Sequence, residues 1–267
     1  MKIIMIGHGM VGHKFIESVL EHVGDDVEIT ILAEEPRLAY DRVHLTEYFS
    51  GKSAKDLTLC RADFADAYGI DLRLNTKAVA IDQSHKTVTT NHGDVLSFDK
   101  LILATGSYAF VPPISGNDRE NCFVYRTIED LDAIRAASLN AKSGVVIGGG
   151  LLGLEAAKAL RDLNLETHVV EFAPRLMAVQ IDDLGGKVLR AKIENLGVKV
   201  HTQKATSSIE EGATTKHVMK FGDGSELETD IILFSAGIRP RDELARQSGL
   251  ALGERGGIMI NDYCQTS

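Results

Sequence analysis

Short apolar runs of strand length alternate along this chain with longer stretches of helical period. Lys2-Ile3-Ile4-Met5-Ile6 precedes Gly7-His8-Gly9-Met10-Val11-Gly12. From Met10 to about His22 the residues Val11, Phe15, Val19 and Val23 then recur near helical spacing. Gly144-Val145-Val146-Ile147 precedes Gly148-Gly149-Gly150-Leu151-Leu152-Gly153, and a Leu- and Ala-rich helix is predicted from Leu151 to about Leu163. Val27 to Ala33 and Thr167 to Val170 read as the next strands. Leu101-Ile102-Leu103-Ala104-Thr105-Gly106 closes the first copy, and Ile231-Ile232-Leu233-Phe234-Ser235-Ala236-Gly237 closes the second. A repeated strand-helix-strand pattern gives the α/β class: two Rossmann-like units in series, each with a parallel sheet. Small antiparallel β-meanders complete the expected fold. One runs from Leu72-Arg73-Leu74 to Lys86-Thr87-Val88-Thr89 and beyond, with His92-Gly93-Asp94 as a turn.

Punctuation sets the domains. Val111-Pro112-Pro113-Ile114 cannot continue a helix, because proline restricts itself and its predecessor, so the crossover is placed there. Thr127 and Asp130 have the N-cap and N3 spacing of a helix start. The return crossover falls near Ile238-Arg239-Pro240, which shapes the connection. The expected domains are 1–113, 114–240 and a return segment 241–267.

Composition removes several classes. The net charge is −9, without basic runs, which argues against nucleic acid and anionic membrane as partners. No apolar run reaches the roughly 18 residues of a membrane span. Lys2 and the apolar start mimic a signal sequence, but Gly7, His8, Gly9 and His13 interrupt it. The three cysteines, Cys60, Cys122 and Cys264, are far apart. That argues against a local redox disulfide, zinc site or iron–sulfur cluster. Free thiols and no leader read as cytoplasmic. The nine histidines, with His8 and His13 flanking the first loop, show no convincing metal spacing and read as surface or loop residues.

The two glycine loops carry the chemistry. In such a turn the first glycine (Gly7, Gly148) allows a sharp strand exit. The second (Gly9, Gly150) lets a pyrophosphate approach the backbone. The third (Gly12, Gly153) lets the helix pack closely. The phosphates then meet free N–H groups at a helix head, beside Met10 and Val11 or Leu151 and Leu152. Two such loops suggest two dinucleotides held face to face. An acid about 20 residues further on is expected to accept from ribose hydroxyls. Glu171 supplies it in the second copy. It favours NADH over NADPH by repelling a 2′-phosphate, with Arg175 nearby as counterweight. In the first copy Ala33 stands where Glu171 stands, and Glu34, ahead of Glu35, takes the role.

These residues resemble the two-dinucleotide flavoprotein reductases of the glutathione-reductase fold. The Ala104-Thr105-Gly106 and Gly237-Ile238-Arg239-Pro240 strand ends are that superfamily's secondary signatures. Three runs narrow the match: Glu35 to Leu45 with its Ala39-Tyr40-Asp41-Arg42-Val43-His44-Leu45, Val124 to Leu131, and Gly148 to Ala156. They resemble the N-terminal FAD- and NADH-binding portion of the cytoplasmic NAD(P)H nitrite reductase large subunits, over essentially the whole chain. The resemblance implies that NADH on the second unit reduces FAD on the first. Electrons then pass to an iron–sulfur cluster and siroheme, where nitrite becomes ammonia. That machinery, and the next FAD motif, would lie beyond Ser267, so the chain is expected to be a fragment ending before the C-terminal interface domain. Its partners would be downstream redox centres or a small subunit, and a homodimer is allowed.

The resemblance places Glu155 near the flavin–nicotinamide contact. A carboxylate in the first helical turns is also favoured simply by the helix dipole. Arg42 is a candidate for a FAD phosphate, since a guanidinium fork suits phosphate oxygens; otherwise it is a surface arginine. Related reductases often read Arg-Pro-Pro-Leu-Ser-Lys here. This chain reads Arg42-Val43-His44-Leu45-Thr46-Glu47, so that lysine contact does not carry over. Thr105 and Gly106 are expected to line the FAD site. Because the cofactors carry the chemistry, no nucleophile or general-base dyad is expected. Two other readings stand: a stand-alone NADH-dependent rubredoxin- or ferredoxin-type reductase, and a non-catalytic dinucleotide-binding scaffold or redox sensor.

Overall fold

The computed structural model of the protein describes residues 1–23 and 27–267. The first half contains β1 (Lys2–Ile6), α1 (Met10–Val23), β2 (Glu28–Leu32), a 3-10 helix (Leu45–Ser50), α2 (Phe64–Ala67), β3 (Asp71–Arg73), β4 (Ala78–Asp82), β5 (Thr87–Thr90), β6 (Val95–Ser97), β7 (Lys100–Leu103) and β8 (Ser107–Ala109). Then follow β9 (Cys122–Val124), α3 (Ile128–Ser138), β10 (Ser143–Ile147), α4 (Leu151–Asp162), β11 (Glu166–Val170), α5 (Asp183–Asn195) and β12 (Val198–His201). The rest is β13 (Thr206–Glu211), β14 (His217–Phe221), β15 (Glu226–Thr229), β16 (Ile231–Phe234), β17 (Ile238–Pro240) and α6 (Glu243–Gln247). The chain forms two compact units. Unit one is Met1–Arg42, Ala54–Tyr108 and Arg239–Ser267; unit two is Val43–Ser53 and Ala109–Ile238.

Unit one is built on a parallel sheet of order β3-β2-β1-β7. Met5 packs with Ile16, Ile29, Ile31, Phe64 and Ile70 on one face. Ile4 and Ile6 pack with Leu32, Ala78 and Val88 on the other. A sheet covered on both faces needs no polar alternation, which is why β1 is a continuous apolar run. On α1 the buried row is Gly12, His13 and Ile16, with Phe15, Val19 and Leu20 partly buried. Val11 and Val23 are exposed, at 78% and 45%. Of the residues at helical spacing, Phe15 and Val19 pack on the core and Val11 and Val23 do not, because Ile16 fills the space over Met5 and Ile31. The antiparallel sheet is β4-β5-β6, with the turn at His92-Gly93-Asp94 as expected. Leu72, expected in that meander, pairs instead with Ile31 at the edge of the parallel sheet. Burial beside Ile31 and Ile70 outweighs a hairpin contact there.

Unit two repeats the plan with a fifth strand, in the order β12-β11-β10-β16-β9. β10 is buried along its whole length. The β13-β14-β15 meander lays Ile209, Met219 and Phe221 against Val145, Ile147, Val170, Ile232 and Phe234. Helix α3 starts on the expected capping box: Thr127 Oγ1 accepts from Asp130 N (3.2 Å), and Asp130 Oδ2 accepts from Thr127 N (2.8 Å). Helix α4 buries Gly153, Ala156, Ala157, Ala159 and Leu160, so it lies close to the sheet. The 3-10 helix is tied to this unit. Ser50 Oγ donates to Asp162 (2.8 Å), Tyr125 Oη to Thr46 Oγ1 (3.2 Å), and Arg135 to the Tyr48 carbonyl (2.6 Å).

Candidate functional site

Each unit carries its own glycine cradle, and the three glycines do different physical jobs. Gly7 has φ +103° and Gly148 has φ +119°, left-handed backbone that side chains disfavour. A Cβ on Gly7 would sit 2.2 Å from the Ala104 carbonyl oxygen, and one on Gly148 would sit 2.3 Å from that of Ser235. The first glycine thus lets the loop touch the closing strand as well as turn. A Cβ on Gly12 would meet the Gly7 oxygen at 2.4 Å, and one on Gly153 would meet the Gly148 oxygen at 1.9 Å. The third glycine seats the helix on its own loop. A Cβ on Gly9 or Gly150 would meet nothing within 4 Å. The middle glycine therefore faces open space at the helix head, where a diphosphate fits.

The helix heads suit an anion. The Gly9 carbonyl accepts from His13 N (2.8 Å) and that of Gly150 from Leu154 N (3.0 Å), so each helix starts at the middle glycine. Gly150 offers no side chain to cap α4, which leaves the first N–H groups for a ligand or water. Val11, Leu151 and Leu152 are exposed apolar residues beside these openings. Ala104 extends β7 through a bond to Ile6 O (2.8 Å), and Thr105 Oγ1 donates to the Arg241 carbonyl (2.7 Å). Gly106 and Gly237 both have positive φ, with open space at the Cβ position.

The acids differ sharply. Glu171 stands directly after β11. Its Oε2 accepts Gly149 N–H (2.5 Å) and its Oε1 accepts Ala173 N–H (2.7 Å). Arg175 is committed to Asp183 (2.6 Å) and to the Ile181 and Ala178 carbonyls. In unit one Glu34 pairs with Arg241 (2.7 Å) and Lys77 (3.3 Å). Glu35 accepts from Tyr40 Oη (2.7 Å) and pairs with Arg42. Arg42 also donates to Tyr40 Oη (2.8 Å) and lies over its ring. Nothing local announces the cation partners of Glu34, because Lys77 and Arg241 reach it only through the fold.

Glu155 lies on α4, half-buried. Burial raises its pKa, and the charge of His44 draws it back down. The reading of the histidines as surface or loop residues is corrected for His13 on α1, His168 on β11 and His217 on β14, which are buried; His8 is a loop residue, and it too is buried. His8 and His13 pack around Phe64, and burial lowers both pKa values, that of His8 to about 4. Among the described residues, no group of three or more His, Cys, Asp or Glu could hold a metal ion. No helix among them is long and apolar enough to cross a membrane.

Two parallel sheets, each with a glycine cradle at a helix head, define a dinucleotide-binding α/β protein of the two-unit kind. The sequence profile of the pyridine nucleotide-disulphide oxidoreductases matches residues 1–267, and the chain belongs to that family. It is 54% identical over 268 residues to the nitrite reductase (NADH) large subunit of Escherichia coli K12, covering 100% of this chain and 32% of that protein. It is 55% identical over 269 residues to the nitrite reductase [NAD(P)H] large subunit of Klebsiella oxytoca, covering 99% and 28%. The chain thus spans about a third of the length of these curated relatives. Among solved structures, a NAD-dependent persulfide reductase from A. fulgidus superposes with a TM-score of 0.94 at 30% identity, over 100% of this chain and 51% of that one.

Proposed function

We propose that this chain is a cytoplasmic electron-input module that oxidises NADH on FAD and passes electrons on toward nitrite reduction in a larger enzyme. Unit one is the FAD domain and unit two the NADH domain. The observation that carries this reading is the repeated cradle, whose middle glycines Gly9 and Gly150 face open space while the outer glycines Gly7, Gly12, Gly148 and Gly153 are locked against backbone. Bound FAD supplies the conversion of a hydride pair into single electrons. In unit one the loop from Gly7 to Gly12 and the head of α1 hold its diphosphate. Glu34 takes ribose hydroxyls, Arg42 takes a phosphate oxygen, and Ala104, Thr105 and Gly106 approach by backbone. In unit two the loop from Gly148 to Gly153 holds the NADH diphosphate, and Gly237 borders it. Glu171 accepts from the adenosine ribose and disfavours a 2′-phosphate. Glu155 borders the nicotinamide. The nitrite acceptor is supported by the names of the longer relatives, and the partners are downstream redox centres or a small subunit.

The test is the absorbance spectrum of the purified chain, before and after anaerobic NADH. A yellow protein bleached by NADH is the expected result. A colourless protein that takes up no FAD overturns it and leaves a non-catalytic dinucleotide binder.

A further inference from the structure

Two histidines on adjacent strands of unit two form a hydrogen-bonded chain that the cradle does not use directly. His168 on β11 is 6% exposed, and His201 ends β12. His168 Nδ1 lies 3.0 Å from His201 Nε2, and His168 Nε2 lies 3.2 Å from Glu166 Oε1. The rings are within 4° of parallel, with centroids 5.2 Å apart. That separation is what coplanar rings joined edge to edge at 3.0 Å require. The contact is therefore an in-plane N–H···N bond. A metal ion on the same line would need about 4 Å between the nitrogens.

The partners assign the protons. Glu166 is an ionised carboxylate, its pKa lowered by Lys199 and then by His168, so it only accepts. His168 Nε2–H donates to it. A neutral His168 then has a bare Nδ1, and His201 Nε2–H donates there. Burial holds both imidazoles below their ordinary pKa. His168, Lys204, Arg190 and Lys199 add to the effect at His201; Lys199 opposes Glu166 at His168. Neutral rings, as this proton order needs, follow at neutral pH.

The far end of this chain is laced to the acid of the cradle. Val170 and His201 are register partners. The His201 carbonyl accepts Glu171 N–H (2.8 Å), and the Glu171 carbonyl accepts Lys204 N–H (3.0 Å). The Glu171 carboxylate in turn accepts Gly149 N–H in the loop. A recognition group needs such support, because its selectivity depends on being held in place.

We propose that His168 and His201 are positioning residues for Glu171: the imidazole pair fixes the end of β12, and thereby the carboxylate that favours the ribose hydroxyls of NADH over a 2′-phosphate. The selectivity clause rests on the Glu171 role proposed above; the positioning clause does not.

The test compares the whole chain with His201→Leu, His201→Gln and Glu171→Ala. The first readout is amide exchange at Glu171 without dinucleotide, referenced to β10. His201→Leu is expected to raise it about tenfold, while His201→Gln, which can still donate to His168 Nδ1, stays within about twofold of the parent. Unchanged exchange in His201→Leu, or equal increases in both variants, overturns the positioning role. The second readout is the ratio of NADH to NADPH dissociation constants. His201→Leu should reduce the NADH preference about fivefold, Glu171→Ala about tenfold, and the double variant no further than Glu171→Ala. A loss in Glu171→Ala without one in His201→Leu overturns the selectivity clause. An unchanged ratio in Glu171→Ala removes the ribose role, and the exchange result still decides the positioning.

Discussion

The two cradles share their glycines and differ in the residues beside them. In unit two the loop's second position is Gly149, and Glu171 directly follows β11. A Cβ on Gly149 would lie 2.6 Å from Leu176 Cδ2 and 3.0 Å from Glu171 Oε2. The missing side chain is what lets the carboxylate reach the loop. In unit one the second position is His8, buried against Phe64, and the strand end is followed by Ala33, 3% exposed. The acids come later, as Glu34 and Glu35, and both are paired with cations. Among the described residues no ion pair to Glu171 is present, while Glu34 has two. The glycine backbone is thus common to both loops, and two positions set them apart: Gly149 with Glu171 in unit two, His8 with Ala33 in unit one.

The largest expected effect separates the locked glycines from the open ones. Gly148→Ala must either relieve a 2.3 Å contact with Ser235 or leave φ +119°. It should cost about 3 kcal/mol or more in urea unfolding. Gly150→Ala meets nothing within 4 Å. It should change stability by less than about 1 kcal/mol while weakening NADH binding about tenfold or more. Gly7→Ala and Gly9→Ala should repeat the contrast for FAD. Equal destabilisation by Gly148→Ala and Gly150→Ala would make the middle glycine structural and remove the argument for an open cradle.

Acid should reach the first cradle through His8. Burial is the main cause of its lowered pKa, with the nearby His13 adding to it, and the folded value of about 4 lies below the unfolded value of 6.5. The unfolded chain therefore takes up the proton first. The contribution is fully present above pH 6.5 and declines as pH falls toward 4, by about 3 kcal/mol in all. The variant His8→Leu should have a flatter stability curve below pH 6.5, measured by denaturant unfolding at several pH values. His13, His168, His201 and His217 shift in the same direction, so some acid sensitivity should remain. A His8→Leu curve parallel to that of the parent would remove His8 as the cause.

Much of this was legible in the chain itself. The loops, closing strands, helix starts at Met10 and Leu151, and the Thr127 cap are local signals, set by residues within a few positions of one another. What was not legible depends on strand pairing. Leu72 reads equally well in a meander or a parallel edge until Ile31 is known to lie beside it. His168 looks like any polar residue in a strand until the register brings His201 within 3.0 Å. Lys77 and Arg241 reach Glu34 from far along the chain. On α1 the period alone does not give the buried face: Val11 and Val23 have the right spacing but sit off the sheet-facing side, which Ile16 fills.

The smallest effect tests the charge difference itself. Glu171→Ala leaves the Gly149 and Ala173 N–H groups without their acceptor, and should shift the NADH to NADPH ratio about tenfold toward NADPH. Glu34→Ala removes two ion pairs whose side chains are about half exposed. Such pairs in water contribute little, so unfolding should change by less than about 0.5 kcal/mol. FAD affinity should fall only about two- to threefold, because Arg241 and Lys77 already draw on the carboxylate that the ribose would use. Isothermal titration of FAD into deflavinated Glu34→Ala measures this directly. A tenfold or larger loss would mean that Glu34 grips its nucleotide as Glu171 does, and the two cradles would then be alike in charge as well as in backbone.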